Sequence, residues 1–135
     1  MNTGQLPATG TSIRVVLMCE NPIVYKSLGP RLSADRSFEV AGTYDCTIEQ
    51  VPAVMLQQPQ VVILGISRVT HFNKIIAQAL RQAAPHMVIV MLPSYLDTPD
   101  DASQACTAGA DIVLEKSIDT PTLVEQIHSL LSQTP

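Results

Sequence analysis

Val61-Val62-Ile63-Leu64 constrains this chain more than any other stretch. Its residues are all apolar, mostly β-branched, and do not alternate with polar ones. Both faces of the strand they form therefore demand burial. The middle of a parallel sheet with helices on both sides meets that demand. Pro59 precedes the run and Gly65-Ile66-Ser67 follows it. Ligands of open α/β sheets sit beyond the carboxyl ends of the strands, so chemistry is expected at position 65. A glycine there supplies no side-chain donor, acceptor, metal ligand or nucleophile, and it equally suits a plain turn.

The rest of the chain repeats the pattern of strand then helix. Ile13 to Met18 is the first strand, ending at Cys19-Glu20. Asn21 and Pro22 open a helix whose apolar face is Ile23, Val24, Leu28 and Leu32. Pro30 lacks an amide proton and clashes with the carbonyl of Lys26, so a kink or early break is expected there. Phe38 to Gly42 is a second, edge-like strand. Thr47 and Gln50 have capping-box spacing ahead of a helix from Ile48 to about residue 57. After the central strand, residues 71–83 form a helix with Phe72, Ile75, Ile76, Ala79 and Leu80 on one face. Met87 to Leu92 is the fourth strand. Thr98-Pro99-Asp100-Asp101 starts an alanine-rich helix that Gly109 stops. Ile112 to Leu114 is the fifth strand, and Thr120-Pro121 opens the last helix. The order is (βα)₅, a three-layer α/β sandwich whose strand order spacing alone leaves open.

At 135 residues the chain suits one domain, with 1–12 a leader, 13–132 the domain and 133–135 a frayed tail. The charged fraction of 15% is low, which fits a surface partly covered by a partner. A net charge of -4 with scattered basic residues makes these residues poor nucleic-acid binders. No apolar run is long enough to span a membrane, and residues 2–10 lack the apolar core of a signal peptide. Cys19, Cys46 and Cys106 have no metal-ligand spacing and read as free thiols of a reducing, cytoplasmic compartment.

Four segments together resemble the receiver domain of two-component response regulators, in the style of those that precede a LuxR/NarL-type helix-turn-helix. Ile13 to Val24 resembles that family's first strand and acidic pair, and Phe38 to Gly42 its second strand. Pro59 to Gly65 resembles the third strand and its terminal position. Ala108 to Lys116 resembles the approach to strand five and its lysine. The resemblance covers about residues 13–132. It implies a flavodoxin-like fold with strand order 2-1-3-4-5, phosphoryl transfer from a histidine kinase to an aspartate, and Mg²⁺ held by the acidic pair. Carried over position by position, it puts Gly65 at the acceptor and Cys19-Glu20 at the acidic pair. The switch hydroxyl falls on Pro93 or Ser94, and the lysine is Lys116. Glu20 alone gives Mg²⁺ too few oxygen ligands, so no metal or other cofactor is expected.

The expected function is that of a phosphorylation-independent pseudo-receiver, not an enzyme. It would act as a signalling interaction or dimerisation module, and a DNA-binding domain following it would make it part of a transcriptional regulator. The resemblance implies an interaction face on helix four, strand five and helix five, assigned here to Tyr95, Ala102, Ala105, Leu123 and Ile127. That face would serve a homodimer or a heterologous regulatory protein. The alternative is a small-molecule or redox sensor, or a residual enzyme, using a vacated pocket near Cys19 and Gly65. Glu20 and Lys116 are expected to touch directly or through water.

Overall fold

The computed structural model describes residues 12–133, and the expectations for most of the leader and for the end of the tail lie outside them. Five strands, β1 (Ile13–Cys19), β2 (Phe38–Asp45), β3 (Val61–Ile66), β4 (Val88–Pro93) and β5 (Ile112–Val113), form one parallel sheet ordered β2-β1-β3-β4-β5. The helices are α1 (Leu28–Ser33), α2 (Val51–Leu56), α3 (His71–Ala83), α4 (Asp100–Ala108) and α5 (Thr120–Gln133), with a 3₁₀ turn at Ile48–Gln50 before α2. The expected flavodoxin-like (βα)₅ sandwich and its strand order are found.

β3 and β4 are buried along their whole lengths, as their continuous apolar runs require. Alternate residues feed two cores. Val62, Leu64 and Ile66 pack with Val54 of α2, Ile76 and Leu80 of α3 and Ala105 of α4. Val61 and Ile63 pack on the other side with Leu28 and Leu32 of α1 and Leu123 and Ile127 of α5. Helices thus cover both sheet faces, and the carboxyl ends of the strands converge at one edge.

Several local expectations are corrected. The first helix does not begin at Asn21. Residues 22–27 form a turn and α1 starts at Leu28. Pro30 then lies in the first helical turn, where its missing amide costs no intrahelical bond. Ile23 and Val24 are exposed rather than part of the buried face. Thr47 makes no side-chain cap, and the helix after it opens as a 3₁₀ turn because Pro52 must occupy the start of α2. On α3 the buried stripe is Asn73, Ile76, Ala77 and Leu80, leaving Phe72 and Ile75 exposed. Burial of polar Asn73 is offset by its side-chain amide donating to the Arg68 carbonyl at 2.7 Å.

Arg81 ties α3 to the amino edge of the sheet. Its guanidinium donates to the carbonyls of Pro85 (2.9 Å), Met87 (2.6 Å) and Gly109 (2.9 Å) and pairs with Asp111 at 2.6 Å. Asp111 in turn accepts the Ile89 amide at 2.7 Å. Gly109 closes α4 at φ 136, and a Cβ there would stand 3.0 Å from the Ala77 carbonyl oxygen, so only glycine fits the turn.

Candidate functional site

The carboxyl end of β3 is flanked by Cys19 of β1 and Leu92 of β4, in register with Gly65. Above Gly65 lies the ring of Tyr25. A Cβ built on Gly65 would stand 2.9 Å from the ring's Cγ and 3.0 Å from both Cδ atoms, so no side chain fits at position 65 with Tyr25 in place. The turn at 22–27, imposed ahead of the α1 proline, delivers this side chain inward, and Tyr25 is 6% exposed. Its hydroxyl lies 2.8 Å from the Ile66 carbonyl oxygen and 2.6 Å from that of Leu92, and can donate its single proton to either. Ser94 Oγ is 3.4 Å away. Tyr25 therefore bridges the ends of β3 and β4. Burial pushes the phenol pKa up, partly offset by the Ser94 hydrogen bond and reinforced by Cys19 and Glu20 nearby.

The other predicted site residues surround this plug. Cys19 is 2% exposed, and burial pushes its thiol up to about 11 against a smaller opposing effect of the Gly65 backbone. Cys46 is pushed up to about 12, again by burial first, with Glu20 adding to it. Both stay thiols at neutral pH, so the environment of Cys19 is that of an inert core residue rather than a nucleophile. Glu20 is exposed. Its Oε1 accepts the Ser67 amide at 2.7 Å, and its own amide donates to the Gly65 carbonyl at 2.8 Å. Pro93 is the buried last residue of β4, whereas Ser94 reaches the Tyr25 hydroxyl. Of the two candidates for the switch position, only Ser94 brings a hydroxyl to the site.

Three expectations about this region are corrected. The direct form of the expected Glu20–Lys116 contact is not made: Glu20 Oε1 accepts the Ser67 amide instead, and Lys116 is exposed. The space at Gly65 is not vacant, because the Tyr25 ring fills it. Ala105, Leu123 and Ile127 are wholly buried in the chain's own cores, so they hold α4 and α5 to the sheet and cannot form a surface. Tyr95, at 62% exposure, and half-buried Ala102 remain accessible. The Arg68 guanidinium carbon lies 5.5 Å from the Tyr95 ring centroid, and Arg68 pairs with Asp97 at 2.9 Å.

The Mg²⁺ implied by the resemblance does not fit these residues. Cys19 is a buried thiol, position 65 has no side chain, and one oxygen of Glu20 is already engaged by Ser67. Among the described residues no group of three or more His, Cys, Asp or Glu side chains could hold a metal ion.

Sequence reasoning missed Tyr25. The signal was present in outline: a glycine at the end of a fully buried strand leaves a side-chain-sized gap, and close-packed interiors fill such gaps. Tyr25 is the one aromatic residue between β1 and β2.

This architecture is the receiver-domain fold. The chain superimposes on the signal receiver domain of a protein described as the response regulator NarL from Mycobacterium tuberculosis, with a TM-score of 0.77 and 20% identity over 90% of this chain and 98% of that one. It is similar to a LuxR-family two-component response regulator from Aurantimonas at 0.76 and 20% identity, covering 91% and 87% of the two chains. The isolated receiver domain of RcsB from Salmonella enterica matches at 0.75 and 13% identity, over 91% of each. No family model and no curated protein matches the sequence.

Proposed function

We propose that this domain is a phosphorylation-independent pseudo-receiver, a regulatory interaction module rather than an enzyme. One observation carries the reading: the Tyr25 ring occupies the space that an acceptor side chain at position 65 would need. The RcsB receiver domain was determined in the presence of phosphomimetic BeF3⁻. Here position 65 has no carboxylate to hold such a group, and Cys19-Glu20 is half a metal site. The buried thiols and the filled pocket weigh against the redox and small-molecule alternatives. Output then rests on surfaces, either a homodimer or a heterologous partner on the α4–β5–α5 side. A DNA-binding domain following these residues would turn such contacts into transcriptional control.

The test is incubation with acetyl phosphate or carbamoyl phosphate and Mg²⁺, followed by intact mass measurement, and in parallel addition of BeF3⁻ to isotope-labelled protein. No phosphoryl adduct and an unchanged amide spectrum are expected. A stoichiometric, hydroxylamine-labile adduct on any aspartate overturns the reading.

A further inference from the structure

Among the described residues, the exposed large apolar side chains are unevenly distributed. Ile23 and Val24 follow β1, Ile48 follows β2, Phe72 sits in the first turn of α3 just after β3, and Tyr95 and Leu96 follow β4. All six lie at the carboxyl edge of the sheet. Ile75 is one turn further along α3, and Leu56 at the end of α2 is the exception at the opposite edge. Isolated exposed apolar residues are ordinary, but their concentration at one edge is not.

The loops that carry many of them form one surface. Glu20 after β1 accepts the Ser67 amide after β3, and the Ser67 carbonyl accepts the Tyr95 amide after β4 at 3.0 Å. Arg68 adds its contact with the Tyr95 ring and its pair with Asp97. The charge there is also one-sided. Glu20, Asp45, Glu49, Asp97, Glu115 and Asp119 lie in or beside these loops, and the first turn of α4 adds Asp100 and Asp101. The cations in the same loops and first helical turns are Lys26, Arg68, Lys74 and Lys116; Arg68 is already neutralised by Asp97, and Lys74 lies near Asp101, so acids still outnumber cations.

We infer that this edge is a docking surface for a basic amphipathic segment of a partner protein. The apolar side chains supply the desolvated contact, and the surrounding carboxylates select positive charge. Nucleic acid and anionic lipid carry the wrong sign. A second copy of this chain, with its net charge of -4, would bring the same acidic edge. The inference rests on the make-up of the edge and not on phosphorylation independence, so a phosphoryl adduct in the preceding test would leave it standing.

The experiment is a titration of isotope-labelled protein with a synthetic amphipathic helical peptide of leucine and lysine, with the same peptide carrying glutamate for lysine as control. Saturable amide shifts are expected around Ile23, Phe72 and Tyr95, fading at high salt. Phe72→Ser combined with Tyr95→Ser, both well exposed, should keep the amide spectrum of a folded protein and weaken binding about tenfold. Shifts centred on another face, undiminished binding by the double variant, or equal binding of the glutamate peptide overturn the inference. So does the absence of saturable shifts. Concentration-dependent shifts around Ile23 and Phe72 without peptide, away from the α4–β5–α5 side, would assign the edge to self-association and also overturn the inference.

Discussion

Tyr25 and Gly65 are complementary at the level of single atoms, and this makes their coupling measurable. Tyr25→Phe removes the proton shared by the Ile66 and Leu92 carbonyls and should cost about 1–2 kcal/mol in denaturant unfolding. Tyr25→Ala also empties the space over β3 and should cost about 3–5 kcal/mol. Gly65→Ala forces a methyl into the ring and should destabilise by about 1–3 kcal/mol. The double variant Gly65→Ala, Tyr25→Ala should then be clearly less damaged than the sum of the two. Strict additivity would show that the ring does not press on position 65.

The buried thiols set an alkaline limit. In the unfolded chain Cys19 ionises near its ordinary 9.0, whereas in the fold it holds its proton to about 11, so unfolding favours proton release. Stability from this group is complete below pH 9 and declines as pH rises from about 9 to 11, with Cys46 acting in the same direction. Replacing both by Ala should flatten a plot of unfolding midpoint against pH across that window. At pH 8, iodoacetamide should modify exposed Cys106 well before the buried pair.

At the scale of elements, two charged residues that look similar in sequence behave differently. Arg81 is bonded to three carbonyls and to Asp111, joining α3 to the turn between α4 and β5. Arg81→Ala should cost about 2–4 kcal/mol, because several partly buried acceptors lose their donor together. Among the described residues Lys116 has no carboxylate partner, and Lys116→Ala should stay within about 0.5 kcal/mol in the same unfolding assay. A large loss there would mean that Lys116 reaches an acceptor in solution. The short α1 belongs to this scale too. Pro30 sits in its first turn rather than breaking a longer helix, and a one-dimensional pattern does not say which side chain the preceding turn throws inward.

For the whole molecule, the α4–β5–α5 side is proposed as the self-association surface, with a modest interface of about 1,200–1,600 Å². Sedimentation velocity over a concentration series should show a reversible dimer that needs no activating ligand. Ala102→Glu is the appropriate probe, because Ala102 is partly accessible, whereas a charge at buried Ala105 would damage the core. A monomer that persists at high concentration would shift the weight to a heterologous partner.

What the sequence determined by itself was the layered fold. Unbroken apolar runs at 15–17, 61–64 and 88–92 admit only strands buried on both faces, and the short connections between them admit few topologies. It also placed Gly65 and Cys19-Glu20 at the carboxyl ends of their strands, because strand boundaries follow from the same runs; that these strands are neighbours is a fact of the sheet. Only the tertiary structure decided what occupies the space above Gly65, that Glu20 turns to the Ser67 amide rather than to Lys116, and that Phe72 faces out while Asn73 faces in. Each of these depends on distances between segments far apart in the chain. Periodicity states how much burial a segment needs; the packing of its neighbours decides which side chain fills the space.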